Sequence, residues 1–220
     1  MSANGPGLVI FDCDGVLVET EAVANHLLVR ILDEDGYTVS YEDCRRRFVG
    51  RMLEDIQAEI ESDLGRALRR DWSDHVRTRT EAEFAAGIQA IPGVRTQVEA
   101  LIAANTAICV ASSGRISKMQ LTLGSSGLLP LLADVLYSAE MVGRGKPHPD
   151  LFLHAASQMG FAPEQCIVIE DSPFGVQAGI AAQMRVLAYA ADPHADEEAL
   201  KSAGATLFDS MDDLPDLLAL

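Results

Sequence analysis

The stretch LVIFDCDGVLVET, residues 8–20, decides the fold. Four apolar residues run directly into Asp12 and Asp14, one residue apart, and Gly15 and a second apolar run follow. A continuous apolar run bounded by a turn signal reads as a strand buried on both faces, as parallel sheets require. The two acids at its end repel each other, so the folded chain must supply a compensating charge.

Working outward, five more such runs recur: TAICVA (106–111), DVLYSA (134–139), CIVIE (166–170), RVLAYA (185–190) and ATLF (205–208), with helical patterns between them. Their alternation predicts an α/β fold, a Rossmann-like doubly wound parallel sheet. In such sheets ligands bind beyond the carboxyl ends of the strands, so the residues after each run are the ones that matter.

About 90 residues separate the first run from the second, far more than one crossover helix needs. Residues 19–88 read as helices throughout. Ser40 with Asp43 fits a looser capping box, and Gly36 and Gly65 read as helix stops. Ile91-Pro92-Gly93 marks the return to the sheet. The expected organisation is a Rossmann-like catalytic core of residues 1–18 and 89–220, with an inserted α-helical cap domain over residues 19–88.

The charge narrows the partners. Seventeen basic against 33 acidic residues leave a formal charge of −16, which disfavours nucleic acid and anionic membrane surfaces, both polyanions. The longest apolar windows are too short to span a bilayer, and MSANGPG at the start lacks the pattern of a signal peptide. A soluble cytoplasmic protein is expected, as a monomer or small homo-oligomer. Cys13, Cys44, Cys109 and Cys166 show no metal-ligand spacing and read as reduced, structural thiols.

Four strand ends carry chemistry. Asp12 and Asp14 follow the first run; Ser112, Ser113 and Gly114 the second; Gly145, Lys146 and Pro147 the third; Glu170, Asp171 and Ser172 the fourth. Alone, the last trio would read as a helix N-cap. Together the four suit one phosphate and one hard cation. Asp12 and Asp171 offer carboxylate oxygens and Asp14 a backbone carbonyl, a donor set for octahedral Mg²⁺ completed by waters and a phosphate oxygen. Ser112 and the backbone N–H groups near Ser113 and Gly114 can hold phosphate oxygens, and Lys146 adds a point charge.

On the motifs DCDGVLVET (12–20), VASSG (110–114), GKPHPD (145–150) and IEDSPFGVQAG (169–179), the chain resembles the haloacid dehalogenase-like hydrolase superfamily, in its branch of phosphatases and β-phosphoglucomutases with a helical cap. The resemblance implies that Asp12 attacks phosphorus to form an aspartyl-phosphate, while Asp14 protonates the leaving oxygen and later activates water. It further implies that Ser112 and Lys146 hold the phosphoryl group, that Asp171 ligates Mg²⁺ with Asp12 and Asp14, and that Glu170 ligates it or acts through a water. Cys13, between the two acids, should point away from the site, and Gly175 and Gly179 read as close-packing and flexible positions of the turn that follows.

β-Phosphoglucomutases place a histidine where this chain has Ala24, and a lysine and an arginine around the glycine turn where it has Val49 and Leu53. These departures favour a phosphatase acting on a small phosphorylated metabolite over a phosphomutase. Arg47 and Arg51 are candidates for an anionic part of the substrate. The loop SSGRISKMQLTLG (112–124) resembles that of bacterial phosphatases acting on 6-phosphogluconate and similar sugar phosphates, so Arg51, Arg115 and Lys118 are candidates for the distal end of such a substrate. A dehalogenase has no use for Asp14 or a Mg²⁺ site. An inactive binding protein of the same fold would not need the full set of residues that stands here.

Overall fold

The computed structural model describes residues 5–48 and 51–219. Two compact units form: one from the segment ending at Glu19 together with the segment beginning at Gln89, the other from Thr20–Ile88.

In the first unit six strands build one sheet: β1 Leu8–Phe11, β2 Ala107–Ser112, β3 Leu136–Ser138, β4 Cys166–Glu170, β5 Arg185–Tyr189 and β6 Thr206–Phe208. Every pairing is parallel, and the order is β3-β2-β1-β4-β5-β6, the doubly wound arrangement. The expected strands all form: β1 and β4 keep the expected bounds, β2 shifts by one residue to take in Ser112, β3 loses Asp134, Val135 and Ala139, and β5 and β6 each lose one terminal alanine.

Alternation along each strand divides its side chains between two covered faces. Leu8 and Ile10 share a core cluster with Cys109, Ala111, Val168 and Val186, closed by Leu151, Phe152 and Ala155 of one helix and Val176 and Ala178 of another. Those helices are Asp150–Met159 and Pro173–Ala181, the eighth and ninth α-helices in chain order, α8 and α9. The neighbouring residues Val9, Phe11 and Val110 are equally buried and point the other way, toward the side on which the helix Val94–Ala103 packs against β2. Burial of both faces is why these strands lack the polar alternation of a half-solvated sheet.

Register sets the row that matters for function. Phe11 is level with Val110 on one side and Ile169 on the other, and Ser112 is level with Ser138. Asp12 N donates to Ile169 O at 2.9 Å, so Asp12, Ala111, Ser112, Ser138 and Glu170 emerge together at the carboxyl edge.

The second unit is helical among its described residues: α1 Glu21–Glu34, α2 Tyr41–Phe48, α3 Leu53–Leu64 and α4 Trp72–Ala86. Leu27, Ile31, Phe48, Ile56, Ile60 and Trp72 form its own core. Asp43 N donates to Ser40 Oγ at 3.0 Å, the expected cap at the start of α2. Gly65 ends α3 in the left-handed conformation at φ 64°, which glycine adopts without the Cβ penalty. Chain entry and exit lie side by side in the first unit, where Val18 bridges Ala90 and Glu19 N donates to Gln89 O at 3.0 Å. Val49 and Gly50, where the mutase comparison expects a glycine turn, lie outside the described residues.

Candidate active site

After β1 the chain turns at Asp14 and Gly15, and Gly15 holds φ 79°. A Cβ built on Gly15 would stand 1.9 Å from Asp171 Oδ2, so only glycine lets the Asp171 carboxylate lie against this turn. The carboxyl end of β4 is thereby brought onto the loop carrying Asp12 and Asp14.

Lys146 reaches the same point from the loop between β3 and α8 (Asp150–Met159). Its Nζ donates to Asp12 Oδ1 at 2.5 Å, to Glu170 Oε1 at 2.6 Å and to Ala111 O at 3.2 Å, which engages all three ammonium protons. It also sits 4.9 Å from the Phe152 ring centroid. The Lys146, Asp12 and Glu170 side chains are 6%, 9% and 1% exposed, so this is an ion cluster largely out of water.

Two acids share that one cation unequally. Burial raises both, but Glu170 ends below its usual range because Lys146 is joined by the Ser172 donors. Glu170 Oε2 accepts from Asp171 N and Ser172 N, each at 2.8 Å, and from Ser172 Oγ at 2.9 Å. Asp12 is pushed up to about 7, because burial outweighs Lys146 and the charges of Glu170 and Asp14 add to it. Lys146 loses charge stability to burial, yet Asp12 and Glu170 overcome that and hold its ammonium above the usual lysine range.

Ser172 also caps α9 (Pro173–Ala181), accepting from Gly175 N at 3.1 Å. The N-cap pattern in Glu170-Asp171-Ser172 is therefore real, and it is part of the site. Gly175 and Gly179, expected in a turn, are instead helical. A Cβ on Gly175 would fall 1.7 Å from Glu170 Oε1, and one on Gly179 would fall 2.6 Å from Val186 Cγ2. Their function is close approach of α9 to the sheet.

After β2, the buried Ser112 Oγ accepts from Gly114 N at 3.0 Å, while Ser113 is exposed. Ser138, which the sequence reading passes over, is fully buried and donates from Oγ to Gly114 O at 2.8 Å. Its place at the end of the third apolar run, level with Ser112, was the available signal.

The basic candidates separate. Lys118, assigned from sequence to a distal substrate group, instead donates to Asp14 Oδ2 at 2.9 Å. Arg47 is tied inside the helical unit, to Glu59 at 2.7 Å, Asp63 at 2.9 Å and the Tyr37 hydroxyl at 2.5 Å, so its guanidinium is occupied by structural partners. Arg51 pairs with Glu59 at 2.5 Å, and Arg115, 79% exposed, faces Glu140 at 3.4 Å.

Cys13 is buried and its thiol is pushed well up, by burial first and the neighbouring acids second, which leaves it inert. All four cysteines are free and buried. His148 is exposed, His26 stacks on Tyr41, and His154 meets Tyr137 edge-on.

Hard oxygen donors gather here. Among the described residues no group of three or more His, Cys, Asp or Glu side chains is placed to hold a metal ion. The expected donors are two carboxylates, Asp12 and Asp171, of which Asp171 lies against the turn of Asp14 and Gly15, and the Asp14 carbonyl. That fits Mg²⁺ in kind, because Mg²⁺ keeps several waters and takes few protein ligands.

The sheet order and the row of polar residues at its carboxyl edge define a doubly wound α/β enzyme. Residues 9–189 match the family model described as haloacid dehalogenase-like hydrolase, and the chain belongs to that family. It is 36% identical to 6-phosphogluconate phosphatase of Escherichia coli, over 95% of this chain and 93% of that one. It is 27% identical to the phosphorylated carbohydrates phosphatase of Thermotoga maritima, over 90% of this chain and 91% of that one. A crystal structure of a HAD family hydrolase from Deinococcus radiodurans, with bound phosphate and sodium, superposes with a TM-score of 0.88 at 32% identity, covering 98% of this chain and 96% of that one. The chain is a phosphoric monoester hydrolase. Among the described residues no helix is long and apolar enough to cross a membrane.

Proposed function

We propose that the chain is a Mg²⁺-dependent phosphatase of small sugar or organic-acid phosphates, working through an aspartyl-phosphate on Asp12. The observation that carries the reading is the buried Asp12–Lys146–Glu170 cluster beside Asp14, within a chain 36% identical to a 6-phosphogluconate phosphatase.

The roles are those the family resemblance implies, and the geometry supports them. Asp12 is the nucleophile: Lys146 fixes its Oδ1, which leaves one carboxylate face to approach phosphorus in line. Attack forms the Asp12–O–P bond as the P–O bond to the sugar breaks, and the leaving oxygen takes a proton from Asp14. Asp14 then removes a proton from the water that cleaves the acyl phosphate, returning Asp12 and releasing phosphate.

Ser112 Oγ and the Ser113 N–H hold phosphoryl oxygens, and Lys146, whose three protons are already engaged, acts on the phosphoryl group through its charge. Asp12, Asp171 and the Asp14 carbonyl would hold Mg²⁺, which when bound neutralises the carboxylates and the developing phosphoryl charge. Glu170 serves by anchoring Lys146 and the α9 terminus, since both its oxygens already carry hydrogen bonds. Thr20–Ile88 serves as the helical cap domain, Arg115 is the basic candidate for the distal end of the substrate within the sheet unit, and the enzyme works in the cytoplasm.

The test is phosphate release from a panel of phosphorylated sugars and sugar acids with Mg²⁺. Release from several of them supports the reading, and inactivity across the panel sinks it. Conversion of β-glucose 1-phosphate to glucose 6-phosphate with little free phosphate would make the enzyme a mutase instead.

A further inference from the structure

Lys118 stands in the first turn of the helix Ile116–Ser125, 104 positions after Asp14 in the chain, yet its Nζ donates to Asp14 Oδ2 at 2.9 Å. The route is built in. A Cβ at Gly114 would lie 3.4 Å from Lys118 Cδ, 3.3 Å from Ser112 Oγ and 3.8 Å from Asp14 Oδ2, so glycine leaves room for the lysine stem to cross the loop. Farther along, Thr122 Oγ1 donates to Lys118 O at 3.1 Å, within the same helix.

The two side chains are 37% and 26% exposed, and an ion pair that wet contributes little to stability. Its consequence is orientation. The terminal torsion of an aspartate is broad and nearly two-fold, so an unguided carboxyl samples many planes, and holding one oxygen selects among them. The same contact argues against Lys118 as a substrate anchor, because Asp14 already compensates its charge.

We propose that Lys118 is a positioning residue for Asp14, setting the plane of the carboxyl that protonates the leaving oxygen; this rests on the phosphatase reading above. Displacing a reacting group by about 1 Å costs on the order of 100-fold in rate, so a residue that only orients the acid has a measurable effect. The effect depends on the leaving group. An alkoxide from a sugar needs the proton as it departs, whereas p-nitrophenolate leaves without one.

Lys118→Met and Lys118→Arg in the full chain, with Mg²⁺, are assayed for kcat/KM on p-nitrophenyl phosphate, glucose 6-phosphate and 6-phosphogluconate. Lys118→Met is expected to lose roughly 10- to 100-fold on both sugar esters. The loss on the aryl ester should be about threefold or less. Lys118→Arg, which keeps a donor, should recover most of the loss. Equal losses on all three esters, or no loss, overturn the proposal. A loss confined to 6-phosphogluconate overturns it in favour of a ligand for the substrate carboxylate. A wild-type chain that releases phosphate from none of the three overturns the phosphatase reading, and this role with it.

Discussion

Asp12 combines two demands that oppose each other: a nucleophile must be ionised, and a buried carboxylate resists ionisation. Burial raises it to about 7 even with Lys146 2.5 Å away, because Lys146 is shared with Glu170, which is better supplied with donors. In protein stripped of divalent cations, Asp12 is therefore increasingly protonated below about pH 7, and a cation must displace that proton to bind. Mg²⁺ affinity measured by calorimetry should fall by roughly tenfold per pH unit below about 7 and level off above it. An affinity independent of pH between 5.5 and 8.5 would refute this. Asp12→Asn removes the nucleophile while keeping the shape, so phosphate release should drop by at least roughly a thousandfold with the circular dichroism spectrum unchanged. Retained activity would sink the assignment of Asp12. At this scale the sequence was informative about identity and silent about pairing. Asp12, Asp14, Lys146 and Asp171 stand out at strand ends, but nothing in one dimension says that Lys118 turns to Asp14 or that Arg47 is held by Glu59 and Asp63. Side-chain partners depend on which loops face each other, and charges at the surface have many equivalent choices.

The element that joins stability to chemistry is α9. Ser172 caps its start and also donates to Glu170, Gly175 makes room for the Glu170 carboxyl, and Gly179 rests on Val186 and Val168 of the two adjacent strands. Gly179→Ala places a methyl group 2.6 Å from Val186 Cγ2, a buried branched side chain on an interior strand with little room to move. Overpacking of that kind costs about 1–3 kcal/mol, so urea unfolding should show a lower midpoint with an unchanged slope. A variant as stable as the parent would show that α9 can shift outward freely. The close packing at these glycines was legible in the sequence, and their place in a helix was not. Glycines spaced by four read as breakers by intrinsic propensity, and only the need for close helix-on-sheet approach keeps them helical here. Strands were legible for the opposite reason. β1 and β4 are buried on both faces, so every residue from Leu8 to Phe11 and Cys166 to Ile169 had to be apolar, and the pattern left no alternative.

On the scale of the whole chain, the long gap between β1 and β2 is accounted for by a second unit with its own core. Ile60 and Trp72 are fully buried within that unit, and Trp72 Nε1 donates to Asp35 Oδ2 at 2.8 Å, a contact made wholly inside Thr20–Ile88. Because none of this core is shared with the cluster of Leu8, Ile10 and Val168, damage to one should be felt there first. Ile60→Ala removes buried methyl groups at a cost of about 2–5 kcal/mol. Amide hydrogen exchange should therefore quicken in α1, α3 and α4 while the amides of β1, β2 and β4 keep their protection. If the sheet amides accelerated equally, the two units would be one cooperative block. The inserted helices would then belong to the folding of the sheet itself, and truncating them could not leave a folded core.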